Sequence, residues 1–118
     1  MTDIHFRTHC GFEYNDDSVL LEVKDFHLNL GGIVHGGLIA TMLDHAGAIP
    51  IGITPEDPWV TITLNVNYLS FGKLGDKLHT KTHMVRKGAS VSVTNVELFN
   101  QSGKLIATST NTYKSIKR

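Results

Sequence analysis

The residues whose types and spacing could do chemistry lie on one helical stretch: two glycines at its start and an aspartate in its middle. The segment Asn29-Leu30-Gly31-Gly32-Ile33-Val34-His35-Gly36-Gly37-Leu38 leads into a run where Leu38, Ile39, Met42, Leu43, Ala46 and Ile49 recur at helical spacing. This predicts a helix from about His35 to Ile49, ended by Pro50. The helix start has no Ser or Thr cap and opens on Gly36-Gly37. Glycine costs a helix interior roughly 1 kcal/mol relative to alanine. The free N–H groups of a helix start carry partial positive charge. A missing side chain lets a substrate oxygen approach them, which is the layout of an oxyanion site. Tight packing of the helix start against a sheet would account for the same glycines.

Asp44 stands mid-helix, where aspartate is a poor choice on propensity. Its neighbours three and four residues away are Ala40, Thr41 and Ala48, small enough to leave room for a ligand. A solvated aspartate on an exposed face is the plainer alternative. Gly36 and Asp44 are eight residues apart, about 12 Å along the axis at 1.5 Å per residue. One substrate carbonyl cannot touch both groups of the same helix. If both serve one substrate they come from two chains, and a two-fold dimer with antiparallel helices would make two equivalent sites.

The elements around this helix read as a broken strand before it and four strands after it. The first strand signal is split, Gly11 to Tyr14 and Val19 to Lys24, by turn residues Asn15-Asp16-Asp17. After the loop Thr54–Pro58, Val60, Ile62, Leu64, Val66 and Tyr68 alternate with Thr61, Thr63, Asn65 and Asn67. Strands follow at Leu78–Arg86, Ser90–Phe99 and Leu105–Tyr113, with a slip in alternation near Asn95 that would mark a bulge. The order implies an α+β domain over residues 1–118, one antiparallel sheet packed on one helix. One helix covers a sheet face only in part, so oligomerisation is expected.

Bulk composition narrows the classes. Lys plus Arg and Asp plus Glu both number 11, without the basic excess of a nucleic-acid binder. The single cysteine, Cys10, permits no intrachain disulfide and fits a reducing compartment. The N-terminus has no signal-peptide pattern, and the most apolar stretch, Leu38–Ile53, holds Asp44, His45 and Pro50. A cytoplasmic protein without membrane or nucleic-acid partners is expected.

Other constellations carry less. His5, His9 and Cys10 could meet on a helix but lack an evident fourth ligand. His79 and His83 are four apart in a strand, about 13 Å, too far to share a metal. His45 should point about 100° away from Asp44, toward surface or interface. No Gly-x-Ser-x-Gly elbow and no phosphate loop occurs. No metal and no cofactor is expected.

Asn29, His35-Gly36-Gly37 and Asp44 in this register resemble the PaaI-like hotdog acyl-CoA thioesterase family. Asn67-Tyr68-Leu69-Ser70, Arg86-Lys87-Gly88 and Gly103-Lys104-Leu105-Ile106-Ala107 extend the resemblance over about Gly11 to Tyr113. It implies a hotdog fold, a five-stranded antiparallel sheet wrapped around one long central helix, paired into a homodimer with a continuous sheet and often into a homotetramer. Residue by residue it implies that Gly36 polarises the thioester carbonyl and that Asp44 attacks it or activates a water. Asn29 would position that water or the thioester, and His35 would orient the loop or the sulfur. Thr61 would hold the water, although Thr63 is of the same type on the same strand face. Arg86, Lys87 and Gly88, with Lys73 and Lys77, are candidates for the CoA phosphates, a solvated basic turn being the alternative. Leu38, Met42, Leu69 and Phe71 are candidates to line the acyl pocket. Two rivals remain from the residues alone: a non-catalytic acyl-CoA-binding or regulatory module, and a hotdog dehydratase or hydratase using His35 and Asp44.

Overall fold

The structure, a computed structural model, describes residues 4–117. Its order is α1 (Ile4–Cys10), β1 (Glu13–Asn15), β2 (Ser18–Glu22), α2 (Gly36–Ala48), β3 (Trp59–Tyr68), β4 (Lys77–Lys87), β5 (Val91–Phe99) and β6 (Leu105–Ser115). A 3-10 turn at Asp25–His27 precedes α2, and another at Ile49–Ile51 extends it. The strands form one sheet in the order β1-β2-β4-β5-β6-β3, antiparallel throughout. The expected hotdog architecture holds with one strand more. The turn after Asn15 separates the broken first strand into a small hairpin, β1 and β2, rather than leaving it as one kinked strand.

Helix α2 lies across the inner face of this sheet. It buries Ile39, Met42, Leu43, Ala46 and Gly47 against Val19, Leu21, Leu78, Val96, Leu98 and Ile106. Burying each large apolar side chain contributes roughly 1.5–3 kcal/mol, so this stripe sets how the helix lies. Met42 is fully enclosed and belongs to that core, not to a ligand pocket as the sequence suggested.

The sequence reading raised α1 only as the condition for a His5, His9 and Cys10 cluster and not as an element of the fold. Buried His27 ties this helix down. Nδ1 of His27 accepts the Lys24 N–H, so Nε2 carries the proton and donates to the Cys10 carbonyl at 2.6 Å. Phe6 and Phe12 then pack around the ring of His45.

Two strand details bear on the site. The expected bulge near Asn95 does not occur. β5 alternates without interruption, burying Ser92, Thr94, Val96 and Leu98. The apparent slip arises because its inner face changes from polar to apolar halfway along. A bulge does occur in β3, between Thr61 and Thr63. It makes Thr61 pair with buried Tyr113 and Thr63 with Thr112, so the two threonines face opposite sides of the sheet.

Candidate active site

Asp44 is half-buried on α2 and is held at two points. Its Oδ1 accepts the Thr61 hydroxyl at 2.8 Å. Its main-chain carbonyl accepts the Tyr113 phenol at 2.7 Å. Thr61 and Tyr113 are cross-strand partners, so one rung of the sheet grips both ends of the residue. The Tyr113 phenol in turn accepts from Asn111 Nδ2 at 2.9 Å, and the same amide donates to the Leu43 carbonyl. Burial, with the nearby Asp44 charge adding to it, pushes the Tyr113 phenol well above its ordinary range, so it stays a neutral donor. A cleft of about 580 Å³ opens here, lined by Asp44, Thr61 and Tyr113 together with Tyr14, His45, Ala48, Ile49 and Ile53. None of the suggested lining residues Leu38, Met42, Leu69 and Phe71 borders this cleft, and Leu69 and Phe71 are exposed.

Gly36 is the first residue of α2, with His35 as its N-cap and no side-chain cap bond. The leading N–H groups of a helix have no acceptor within it. Tyr68, at the far end of β3 from Thr61, donates its phenol to the Gly36 carbonyl at 2.6 Å. β3 therefore touches both ends of the chemistry-bearing helix. His35 is exposed, and its N–H donates to the His27 carbonyl. Asn29 Oδ1 accepts the N–H groups of Gly31 and Ile33, which shapes the loop and leaves Nδ2 as the end able to donate outward. Asn29, His35 and Gly36 thus gather at the N-terminal end of α2, and Asp44 and Thr61 toward its C-terminal end.

The basic candidates divide. Lys87 pairs with Ser92, Ser92 with Tyr113, and Tyr113 with Thr61. Lys87 therefore stands on the rung that carries Thr61, three strands away, about 14 Å at about 4.8 Å per strand. A bulge between Met84 and Arg86 lets Arg86 pair with Val93 while Lys87 pairs with Ser92. Gly88 donates its N–H to the Ser92 hydroxyl at 3.2 Å. Lys77 begins β4 where Lys87 ends it, about 33 Å away at about 3.3 Å per residue. Lys73 and Lys77 therefore cannot join Arg86 and Lys87 in one patch of this chain, a correction to the sequence reading.

The expectation for His45 also changes. It bonds the Tyr14 phenol and sits among Phe6, Phe12 and Tyr14, inside the chain rather than at a bare surface, and it lines the cleft beside Asp44. Burial pushes the Cys10 thiol up, away from the thiolate a nucleophile needs. Among the described residues no group of three or more His, Cys, Asp or Glu could hold a metal ion. No helix among them is long and apolar enough to cross a membrane.

Residues 31–107, which include Gly36, Asp44 and Thr61, match the thioesterase superfamily. The chain belongs to that superfamily. This thioesterase-superfamily chain is 35% identical over 89 residues to human acyl-coenzyme A thioesterase 13, covering 74% of the chain and 64% of the human protein. It thus spans under two thirds of that relative's length. A Streptococcus mutans protein solved bound to acetyl CoA is 32% identical, with a TM-score of 0.77 over 91% of this chain and 90% of that one. The PaaI protein of Escherichia coli, 21% identical, shares the fold, with a TM-score of 0.85 over 95% of this chain and 84% of that one.

Tyr113, Asn111, Tyr14 and Tyr68 are the site residues that sequence reasoning missed. Tyr113 sits at a buried, inner position of β6, whereas Tyr68 is half exposed at the end of β3. The polar pair Thr94 and Asn111, at inner positions of adjacent strands, was the signal that could have exposed a polar seam under the helix.

Proposed function

We propose that this chain hydrolyses acyl-CoA thioesters to free acid and CoA, with Asp44 as the base or nucleophile and the Gly36 N–H of a second copy as the carbonyl donor. The single observation that carries this reading is the Thr61–Asp44 bond at the edge of an open cleft. It engages Oδ1 and leaves Oδ2 to take a proton from water or to add to the thioester carbon. Attack makes a tetrahedral oxyanion. Its collapse breaks the carbon–sulfur bond and releases CoA as the thiolate; where water attacked, the product is the free acid, and where Asp44 attacked, water then hydrolyses the acyl–Asp44 anhydride to free acid and restores the carboxylate. A thioester is activated enough that a carboxylate, a water and one or two carbonyl donors suffice. The kinship with human acyl-coenzyme A thioesterase 13 and with a protein that binds acetyl CoA supports the substrate class.

Gly36 and Asp44 occupy the same helix, α2, so the two-chain site argued from their spacing remains the way to bring both to one carbonyl. β3 supports it: ten residues long, at the edge of the sheet and largely exposed, with Val60, Ile62 and Tyr68 uncovered. Such an edge is a ready template for pairing with another copy, and pairing two β3 edges gives a homodimer with one continuous sheet, open to further assembly as a homotetramer. Asn29 and His35, grouped with Gly36, would then face the partner's Asp44-bearing half. Lys87, on the rung that leads to Thr61, is the basic residue best placed for a CoA phosphate, with Arg86 and Gly88 at the same turn.

Subunit mixing tests this arrangement. Asp44→Ala and a Gly36 variant that blocks carbonyl approach are each expected to be inactive alone. Mixed as equal parts after dissociation, they should recover about a quarter of wild-type activity, because half of the dimers are hybrids with one intact site of two. No recovery, with hybrids shown to form, would refute the shared site. A wild type inert on aryl- and fatty-acyl-CoAs would refute the hydrolase reading and favour a binding module.

A further inference from the structure

We propose that Tyr113, backed by Asn111, is a positioning residue that sets Asp44 for its reaction by holding the aspartate's own main-chain carbonyl. This rests on the thioesterase reading above and deepens it.

A mid-helix carbonyl is ordinarily served by the N–H four residues on. The Asp44 carbonyl needs no further donor to complete the helix, yet a buried phenol is aimed at it at 2.7 Å. Asn111 Nδ2 donates to that phenol and to the Leu43 carbonyl, so a two-step hydrogen-bonded chain ends on the peptide that carries Asp44. The helix gives up a side chain to admit it. A Cβ at Gly47 would lie 2.2 Å from Asn111 Nδ2, 2.6 Å from Thr94 Oγ1 and 2.6 Å from the Tyr113 phenol.

Stability is a poor explanation for this arrangement. Gly47 costs the helix about 1 kcal/mol relative to alanine. Asn111 Oδ1 and Thr94 Oγ1 are buried with no hydrogen-bond partner among the described residues, and a buried unsatisfied polar atom is itself costly. An alanine on the helix facing apolar strand residues would join helix and sheet at lower cost. The polar seam sits under the one helical turn that bears the carboxylate. Its last member, Tyr113, is the cross-strand partner of Thr61, which holds the other end of the same aspartate. Fixing the main chain at Asp44 leaves its side-chain torsions as the only freedom, and Thr61 removes that. Held neutral by burial, the phenol remains a donor throughout the physiological range.

The test compares Tyr113→Phe with Thr82→Val. Thr82 also donates from the sheet to an α2 carbonyl, that of Ala46 at 3.2 Å, but two residues away from Asp44. If such bonds merely fasten the helix, both variants should behave alike. Positioning predicts that Tyr113→Phe loses about tenfold or more in kcat with KM within about twofold, while Thr82→Val keeps kcat. A substrate-free readout accompanies it: the 13C signal of the Asp44 carboxyl should shift or double in Tyr113→Phe and stay in place in Thr82→Val. If Tyr113→Phe does not fold, Asn111→Ser removes the backing amide and should move both readouts in the same direction by less. Wild-type kcat and an unmoved Asp44 signal in Tyr113→Phe, or equal losses in both variants, overturn the proposal. A wild type without hydrolase activity overturns the function reading alone, since the carboxyl signal still decides the positioning.

Discussion

Thr61 and Asp44 stand seventeen residues apart in the chain and 2.8 Å apart in space, and a single extra residue in β3 makes that contact. Without the bulge before Thr63, Thr61 would alternate with Leu64, Val66 and Tyr68 and would face away from the helix. With it, Thr61 turns inward and Thr63 outward. Thr61→Ala should therefore lower kcat about tenfold to a hundredfold, and Thr63→Ala should leave it within about twofold. Steady-state hydrolysis of an acyl-CoA by the two purified variants checks this, and equal behaviour would refute it.

Gly36→Ala separates stability from activity. The atoms nearest an added Cβ are those of the Tyr68 phenol, at 3.4 Å or more, and alanine favours helix. The melting temperature should hold or rise. If a thioester oxygen approaches the Gly36 N–H as proposed, the methyl should crowd that approach and activity should fall about a hundredfold, in the range seen for a lost oxyanion donor. A thermal melt and a kcat/KM measurement on the same preparation decide it.

Gly47 and Gly37 lie on the same helix and should respond oppositely. At Gly47 an added methyl collides with three buried polar atoms, and Gly47→Ala should cost at least about 1–3 kcal/mol of stability. At Gly37 nothing lies within 4 Å, and Gly37→Ala should be neutral or stabilise by up to about 1 kcal/mol. Urea unfolding midpoints would show the contrast.

The raised pKa of the Tyr113 phenol makes a prediction at high pH. Above pH about 10 an unfolded tyrosine loses its proton while native Tyr113 keeps it. The native state then binds more protons than the unfolded state, so stability falls as pH rises. The contribution is complete below pH about 10 and declines above it. Between pH 9 and 11 the melting temperature of wild type should drop more steeply than that of Tyr113→Phe. Parallel slopes would show that the phenol is not the group responsible.

The β3 edge predicts assembly. Replacing exposed Val60 and Ile62 with lysine sets like charges near each other across paired edges. Sedimentation should show the wild type as a dimer or larger and this variant shifted toward monomer, with activity falling in parallel. A fully active monomer would rule out a site shared between chains.

Much of this was legible along the chain because it depends on local periodicity. The recurrence of Leu38, Ile39, Met42, Leu43 and Ala46 marked α2 within a residue of its ends, and the loss of a cap before Gly36-Gly37 was visible as composition. α1 was not legible. Its seven residues are too few to be helical on their own, and they are held by His27 and the aromatic ring of His45, partners distant in sequence. The slip read at Asn95 was an artefact of equating inward with apolar: Ser92 and Thr94 are inward and polar because they lie in and beside the seam under Gly47.

The sequence by itself determined the helix that carries Asp44 and Gly36, the antiparallel strands that follow it, and the distance that forbids both groups from serving one carbonyl in one chain. These follow from backbone geometry, which repeats every few residues. Only the tertiary structure decided which threonine reaches Asp44, which lysine shares its rung, and that Tyr113 and Asn111 lie beneath it. Each of these depends on strand register, and one bulged residue reverses the face of every side chain beyond it.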